Sequence, residues 1–163
     1  MRMTLFFVAL LGLASPVAAQ RQSLGIFFKW GAFREEAPKR CFAIAEPERS
    51  PRPEGWRPFA SVGFWTGTRA SGQVHFRLSR NKRPGSAVLL RIDGRTFQLF
   101  AGGANAWAAD RRGDAEIVAA MRSGIDMIIE TRSDRGALVR DHYQLRGAAT
   151  AIDAAAVACA RRR

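Results

Sequence analysis

Apolar and polar residues alternate along most of the chain, and this pattern predicts a mainly β protein. The clearest alternation runs through Gln73–Arg80. A period of two places one set of side chains in a core and the other in water. The predicted core positions are Val74, Phe76 and Leu78, and the predicted solvent positions are Gln73, His75, Arg77 and Ser79. Further strands are predicted at Pro58–Thr66, Ala87–Ile92 and Arg95–Phe100, the last two joined by the hairpin signal Asp93-Gly94.

The N-terminal part of the pattern predicts one short strand followed by one buried strand. Gly25–Trp30 is aromatic-rich, and Gly31 with the segment Glu35–Pro38 interrupts it. Arg40–Glu46 is apolar on both of its faces, which is typical of a central strand that is covered on each side. Pro47–Arg57 contains three prolines and is predicted to be a loop.

The C-terminal part predicts a hairpin and two short helices. The hairpin comprises Ile125–Thr131 and Ala137–Leu145, and it leads through a glycine into the last helix. The spacing of Thr150 and Asp153 resembles a capping box and predicts the start of that helix. An earlier helix is predicted at Asp114–Ser123, with Ile117, Ala120 and Met121 on one face and Gly124 as its stop. Six or seven strands with two short helices, one of them C-terminal, predict an antiparallel β-sandwich or open barrel.

The first nineteen residues have the order of a secretory signal peptide. Arg2 precedes the apolar run Leu5–Leu13, and the small residues Val17 and Ala19 precede the expected cut. The run is shorter than the ~20 apolar residues that span a bilayer, and no later stretch is long enough. We therefore expect residues 20–163 to be a single mainly-β domain without a transmembrane segment. It would reside in the periplasm, or be secreted or held at the outer envelope.

The charge balance is strongly basic, and arginine supplies nearly all of it. The chain of 163 residues has a formal net charge of +12, and its only lysines are Lys29, Lys39 and Lys82. A basic surface favours acidic partners such as anionic envelope lipid or glycan, whereas export disfavours nucleic acid. Another envelope protein is an alternative partner. The densest local group of basic residues is a candidate anion-binding surface: Arg77, Arg80, Lys82 and Arg83. Solvated surface charge is the simpler interpretation of this group.

The chain contains two cysteines, Cys41 and Cys159. In an oxidising compartment two cysteines usually form a disulfide bond. Cys159 also lies on the apolar stripe of the last predicted helix, so a bond would hold that helix over the Arg40–Glu46 strand. Two buried thiols are the alternative.

The sequence offers no catalytic constellation, no metal site and no cofactor motif. Its histidines are His75 and His142, and the adjacent pair Asp141-His142 would point to opposite faces of a strand. We therefore expect a protein that is not an enzyme, and a glycan or cell-wall hydrolase lacks a supporting residue pair. The tryptophans are expected in the core, with a carbohydrate-stacking platform as the alternative: Trp30, Trp56, Trp65 and Trp107.

Several short segments, taken in order, resemble the invasion-associated locus B family over roughly Gly25 to Ile152. They are Phe28–Gly31, Arg40–Ile44, Gln73–Ser79, Ala119–Gly124 and Tyr143–Gly147. The resemblance implies an exported bacterial protein, stapled by cysteines, in the periplasm or outer envelope. The association of that family with host-cell entry implies an adhesin-like surface factor as an alternative to a protein that binds or supports an envelope component.

The chain departs from that family in its cysteines. Typical members carry a cysteine shortly after the first tryptophan and a close pair in mid-chain. Here Phe33-Arg34 follows Trp30, and the region Gly102–Trp107 contains no cysteine. A bond from Cys41 to Cys159 would therefore be a different staple.

Overall fold

A computed structural model describes residues 21–51, 55–65 and 71–160, and they form ten strands and two helices. The expected signal peptide lies outside these residues. The strands in chain order are β1 (Arg21–Phe27), β2 (Trp30–Glu36), β3 (Lys39–Ala45), β4 (Phe59–Trp65), β5 (Ser71–Arg77), β6 (Val88–Ile92), β7 (Arg95–Gly102), β8 (Asn105–Trp107), β9 (Asp126–Arg132) and β10 (Leu138–Gln144). The helices are α1 (Arg111–Ser123) and α2 (Ala148–Ala160).

All described strand pairs are antiparallel and belong to one sheet with the order β1-β2-β3-β4-β5-β8-β7-β6-β9-β10. The two ends of this sheet come near each other without pairing as strands. Trp30 Nε1 donates a hydrogen bond of 2.9 Å to the Gln144 carbonyl oxygen, which joins β2 to β10. The sheet is therefore an open barrel, and the predicted fold class is confirmed.

The hairpin at Asp93-Gly94 is confirmed, whereas the N-terminal prediction is wrong. The predicted single strand is a hairpin in which Phe28 and Lys29 form the turn between β1 and β2. Gly31 and Glu35 lie inside β2 and do not interrupt a strand. The sequence pattern also missed β8, because a three-residue strand is too short to show a period.

The two helices bury the faces that the sequence predicts, but each begins earlier than expected. Asp110 caps α1 by accepting a hydrogen bond of 2.8 Å from the Gly113 amide, and α1 buries Ile117, Ala120 and Met121. The α2 helix begins at Ala148, so the capping box at Thr150 is wrong. The amide of Ala151 already donates to the Gly147 carbonyl oxygen, which places Thr150 inside the first turn.

The helices cover the inner face of the sheet, which is rich in alanine and valine. Small residues on both sides let α2 approach closely; Ala43 and Val62 on the sheet and Ala151 and Ala155 on α2 are all fully buried. Neither helix in the described ranges is long and apolar enough to cross a membrane.

The disulfide bond between Cys41 and Cys159 is confirmed and joins β3 to α2. The Cα atoms are 5.8 Å apart, and Cys41 is fully buried on the inner face of its strand. The bond therefore holds the C-terminal helix over β3, as the sequence predicts.

Polar residues that lie among the apolar side chains of the inner face include Ser79, Asp141 and Tyr143. Ser79 is predicted to face solvent and this is wrong, because Ser79 is fully buried; its amide donates a hydrogen bond of 2.9 Å to Asp141 Oδ2. Asp141 Oδ1 and the Tyr143 hydroxyl are buried and have no hydrogen-bond partner within the described chain. Burial raises the pKa of Asp141, although hydrogen bonds from Ser79 oppose this effect, and burial raises that of Tyr143.

The buried carboxyl of Asp141 predicts that stability depends on pH. Its pKa in the folded protein lies above that of the unfolded chain, so the folded state holds a proton that the unfolded state has already released. Stability therefore falls as pH rises through this interval. We expect the free energy of unfolding of the wild type to decline relative to that of Asp141→Asn as the pH rises above about 4, where an ordinary Asp side chain releases its proton, measured by urea unfolding at a series of pH values.

Asp134→Asn serves as the control for this experiment, because Asp134 is an exposed turn residue. Its pH profile should run parallel to that of the wild type. A constant difference between Asp141→Asn and the wild type across the pH range would contradict the assignment.

Candidate functional site

The outer face of the sheet, opposite the helices, carries a row of side chains that crosses seven strands. Residues directly opposite each other on antiparallel strands project to the same face. The pairings that link β1 through β5, β8 and β7 therefore align one row across the sheet: Ile26, Gly31, Ile44, Ser61, His75, Trp107 and Phe100. Phe100, at the end of the row, is 69% exposed.

Two adjoining hollows on this face, which share Arg21, Ile44 and Phe59, are named here the outer groove. The larger has a volume of about 750 Å³ and extends over the β1–β2 hairpin to Lys29. The smaller has a volume of about 300 Å³ and extends to Trp107. Together they have the size of a site for a small or extended ligand.

Two aromatic rings in the outer groove pack closely against glycines of the sheet, which leave room for them. A Cβ atom at Gly31 would be 2.6 Å from Phe33 Cε2, and a Cβ atom at Gly63 would be 2.8 Å from Trp65 Cη2. The rings occupy the space that other side chains would fill. Substitution of either glycine would force its ring off the sheet.

A histidine continues this aromatic floor at the centre of the groove. The His75 ring stacks on Trp107 at 5.3 Å with an interplanar angle of 5°, and the edge of Phe59 meets it at 5.1 Å. His75 Nε2 is 3.0 Å from Asn105 Oδ1. Because an amide oxygen only accepts, Nε2 carries the hydrogen, and Nδ1 of the neutral ring is an acceptor.

Glu35 holds two arginines side by side at the rim of the groove. Arg21 Nε and Nη2 donate to Glu35 Oε1 at 2.9 and 2.7 Å, and Arg40 Nε donates to Oε2 at 2.6 Å. Both guanidinium groups also lie over the Phe42 ring, at 5.4 and 5.0 Å from its centroid. This set of Arg21, Glu35, Arg40 and Phe42 is called the arginine clamp.

The pKa values of the groove follow from these contacts. Burial raises the pKa of Glu35, but hydrogen bonds from Arg40 and Arg21 outweigh this and hold it below the usual value. Burial lowers the pKa of His75, and the charges of Arg77 and Arg40 act in the same direction, against the hydrogen bond to Asn105. At neutral pH the groove therefore contains two arginines that share one carboxylate, beside an uncharged histidine.

The predicted anion-binding residues lie outside this groove and do not line either hollow. Arg77 is half-buried with its guanidinium 5.2 Å from the centroid of the Trp56 ring, and Arg80 Nη1 donates to the Ser79 carbonyl oxygen. Lys82 Nζ donates to the carbonyl oxygen of Arg83, whose side chain is exposed. An anion-binding role for these four residues stays a prediction.

The four tryptophans divide between the core and the outer face. Trp30 is fully buried, which confirms its core assignment. Trp65 and Trp107 are half-buried and line the outer groove, so core packing is wrong for these two. Trp56, also half-buried, donates a hydrogen bond of 2.8 Å from Nε1 to the Leu78 carbonyl oxygen.

Asp141 and His142 point to opposite faces of β10, as the sequence predicts. Asp141 is fully buried on the inner face, while its neighbour His142 is half-buried and pairs through its backbone with Arg49. Arg140 Nε lies 2.7 Å from Glu130 Oε2 across the last hairpin. Among the described residues no group of three or more His, Cys, Asp or Glu side chains is placed to hold a metal ion.

Sequence reasoning missed the arginine clamp because it missed the first hairpin. Arg21 precedes the predicted strand, and Glu35 was placed in an interruption. The sequence signal for β2 is the alternation of two sets of residues on its two faces: Gly31, Phe33 and Glu35 on one, and Trp30, Ala32 and Arg34 on the other. With that strand assigned, Glu35 falls opposite both Arg21 and Arg40.

The fold defines the chain as an open antiparallel barrel with one face covered by helices and the other open. It is similar to the crystal structure of invasion associated protein B from Bartonella henselae, with a TM-score of 0.58 and 16% sequence identity. The similarity covers 81% of this chain and 94% of that one, and at this identity it shows the shared fold alone. No protein-family model and no curated protein matches the sequence.

Proposed function

We propose that the chain is an exported, non-enzymatic protein of the bacterial envelope that binds an envelope component through the outer groove. The observation that carries this proposal is the aromatic outer face itself. The solvent side of an antiparallel sheet is ordinarily polar, and contiguous exposed apolar surface marks an interaction site. The disulfide bond supports export, since such bonds persist in oxidising compartments.

The contacts within the groove favour binding over catalysis. Glu35 accepts hydrogen bonds from Arg21 and Arg40, which stabilise its charged form and make it a poor proton acceptor. His75 is fixed between Trp107 and Asn105, and Asn105 cannot take up a proton. These groups are arranged to hold a ligand in one orientation.

The test is a binding experiment with isolated envelope. Protein recovered from the periplasm, expected to begin at Gln20, is mixed with envelope of the same organism and the bound fraction is measured after sedimentation. We expect saturable binding that falls at least about tenfold in Trp107→Ala, because truncation of an aromatic hot-spot residue costs about 2 kcal/mol or more.

Ile125→Ala is the matched control, since Ile125 is 71% exposed and does not line the groove. It should bind as the wild type does. Equal binding by Trp107→Ala and wild type would overturn the groove as the binding surface.

A second candidate function is an adhesin-like surface factor that assists entry into a host cell. It is favoured by the fold shared with a protein whose name associates it with invasion. Envelope fractionation separates the two functions. Protease-accessible protein on intact cells supports the adhesin, and protein released only with the periplasm supports the envelope-binding function.

A further inference from the structure

We infer that the ligand of the outer groove is an acidic oligosaccharide, with sugar rings on the aromatic floor and a carboxylate at the arginine clamp. This inference rests on the proposed function and names the class of envelope component.

The aromatic rings of the outer groove determine which ligands it can bind. Phe33 and Trp65 rest against glycines, and Trp107 is stacked with His75, so aromatic rings line much of the groove. A π face carries partial negative charge and attracts the weakly positive C–H groups on the flat side of a pyranose ring. Sugar rings are therefore a suitable ligand for a groove lined by aromatic rings.

Polar groups between the rings match hydroxyl groups. His75 Nδ1 is an acceptor without a partner within the described chain, and Gln73 and Ser61 also line the smaller hollow. A lipid chain would leave His75 Nδ1 and the Gln73 amide without hydrogen bonds, at a cost of ~1–3 kcal/mol for each group that it buries. A sugar supplies hydroxyl groups that both donate and accept.

The position on the sheet face disfavours an extended peptide. Peptides that add to a sheet use the free backbone groups of an edge strand. In the outer groove the backbone groups of β2, β3 and β4 are already paired on both sides. Recognition must come from side chains, and the side chains available are ring faces, hydroxyl partners and guanidinium groups.

The arginine clamp supplies the charge complementarity. Two guanidinium groups share one carboxylate, so the clamp keeps a net positive charge. A guanidinium has five N–H donors, of which Arg21 directs two and Arg40 one to Glu35. The remaining donors have no acceptor within the described residues, and a planar carboxylate matches their geometry.

Titration of the intrinsic tryptophan fluorescence with purified oligosaccharides tests the inference. The probe is a short oligogalacturonate, and the matched neutral probe is the same oligosaccharide with its carboxyl groups reduced to alcohols. We expect the oligogalacturonate to bind about tenfold more tightly than the neutral probe, because charge-assisted hydrogen bonds are about twice as strong as neutral ones.

Variants separate the two parts of the site. Arg40→Gln should remove most of the preference for the acidic probe, while Arg40→Lys should retain part of it because the charge is kept. Trp107→Ala should weaken both probes. Arg111→Gln, at an exposed position on α1 and outside the groove, should change neither.

The outcomes distinguish this inference from the proposed function. Equal binding of both probes, or a preference untouched by Arg40→Gln, would overturn the carboxylate at the clamp. If neither probe binds while Trp107→Ala still reduces binding to whole envelope, the glycan class is wrong and the proposed function stands. If neither probe binds and Trp107→Ala does not reduce binding to whole envelope, both the inference and the proposed function are overturned.

Discussion

Removal of the Cys41–Cys159 bond is expected to lower the free energy of unfolding by about 4–5 kcal/mol. The bond joins residues 118 positions apart, and the loop-entropy relation gives this size for a loop of roughly a hundred residues. Such a loss approaches the whole stability of many small domains. Urea unfolding of oxidised wild type and of Cys159→Ser measures it.

The double variant Cys41→Ala/Cys159→Ala provides the internal check. Each single variant and the double variant lack the same bond, so their losses should be similar and not additive. The outer groove should keep its affinity for envelope, because Cys41 projects to the inner face of β3. A loss below about 1 kcal/mol would show that the unfolded chain is little restricted by the bond.

Trp30→Ala is expected to cost about 3–5 kcal/mol, the range for truncation of a fully buried large aromatic side chain. Trp30 has no exposed surface, and its Nε1 donates to the Gln144 carbonyl oxygen at 2.9 Å. The substitution removes the core contact and the hydrogen bond that joins the two ends of the sheet. Thermal or urea unfolding provides the measurement.

Trp30→Phe separates the two contributions. Phenylalanine keeps most of the apolar volume and lacks the N–H donor, so we expect a smaller loss of about 1–2 kcal/mol. If Trp30→Phe were as unstable as Trp30→Ala, the hydrogen bond between the sheet ends would dominate. If Trp30→Ala cost less than about 1 kcal/mol, the role of Trp30 in closing the barrel would be refuted.

The strands with regular alternation could be predicted from the sequence because burial repeats with the pleat. Val74, Phe76 and Leu78 are all fully buried, as their spacing predicts. The last hairpin and the C-terminal helix could also be predicted, since Gly147 separates them. Cys41 and Cys159 had no other cysteine to pair with.

The groove could not be predicted because it depends on register between strands far apart in sequence. His75 and Asn105 are 30 positions apart, and their hydrogen bond depends on the pairing of β5 with β8. Hydrophobicity alone would assign Phe33 and Trp65 to the core. The role of Gly31 and Gly63 becomes evident only in the structure, where the rings occupy the space that a Cβ atom at each glycine would fill.

The separation of inner and outer faces along each strand has a bearing on how such proteins diverge. In β3, Cys41, Ala43 and Ala45 hold the helix side, while Arg40, Phe42 and Ile44 face the groove. Mutations at alternate codons therefore fall under different selection: one series preserves the barrel, and the other is free to follow a change of ligand. A lineage can exchange its binding face while retaining its architecture, which is one route to two chains that share a fold at 16% identity.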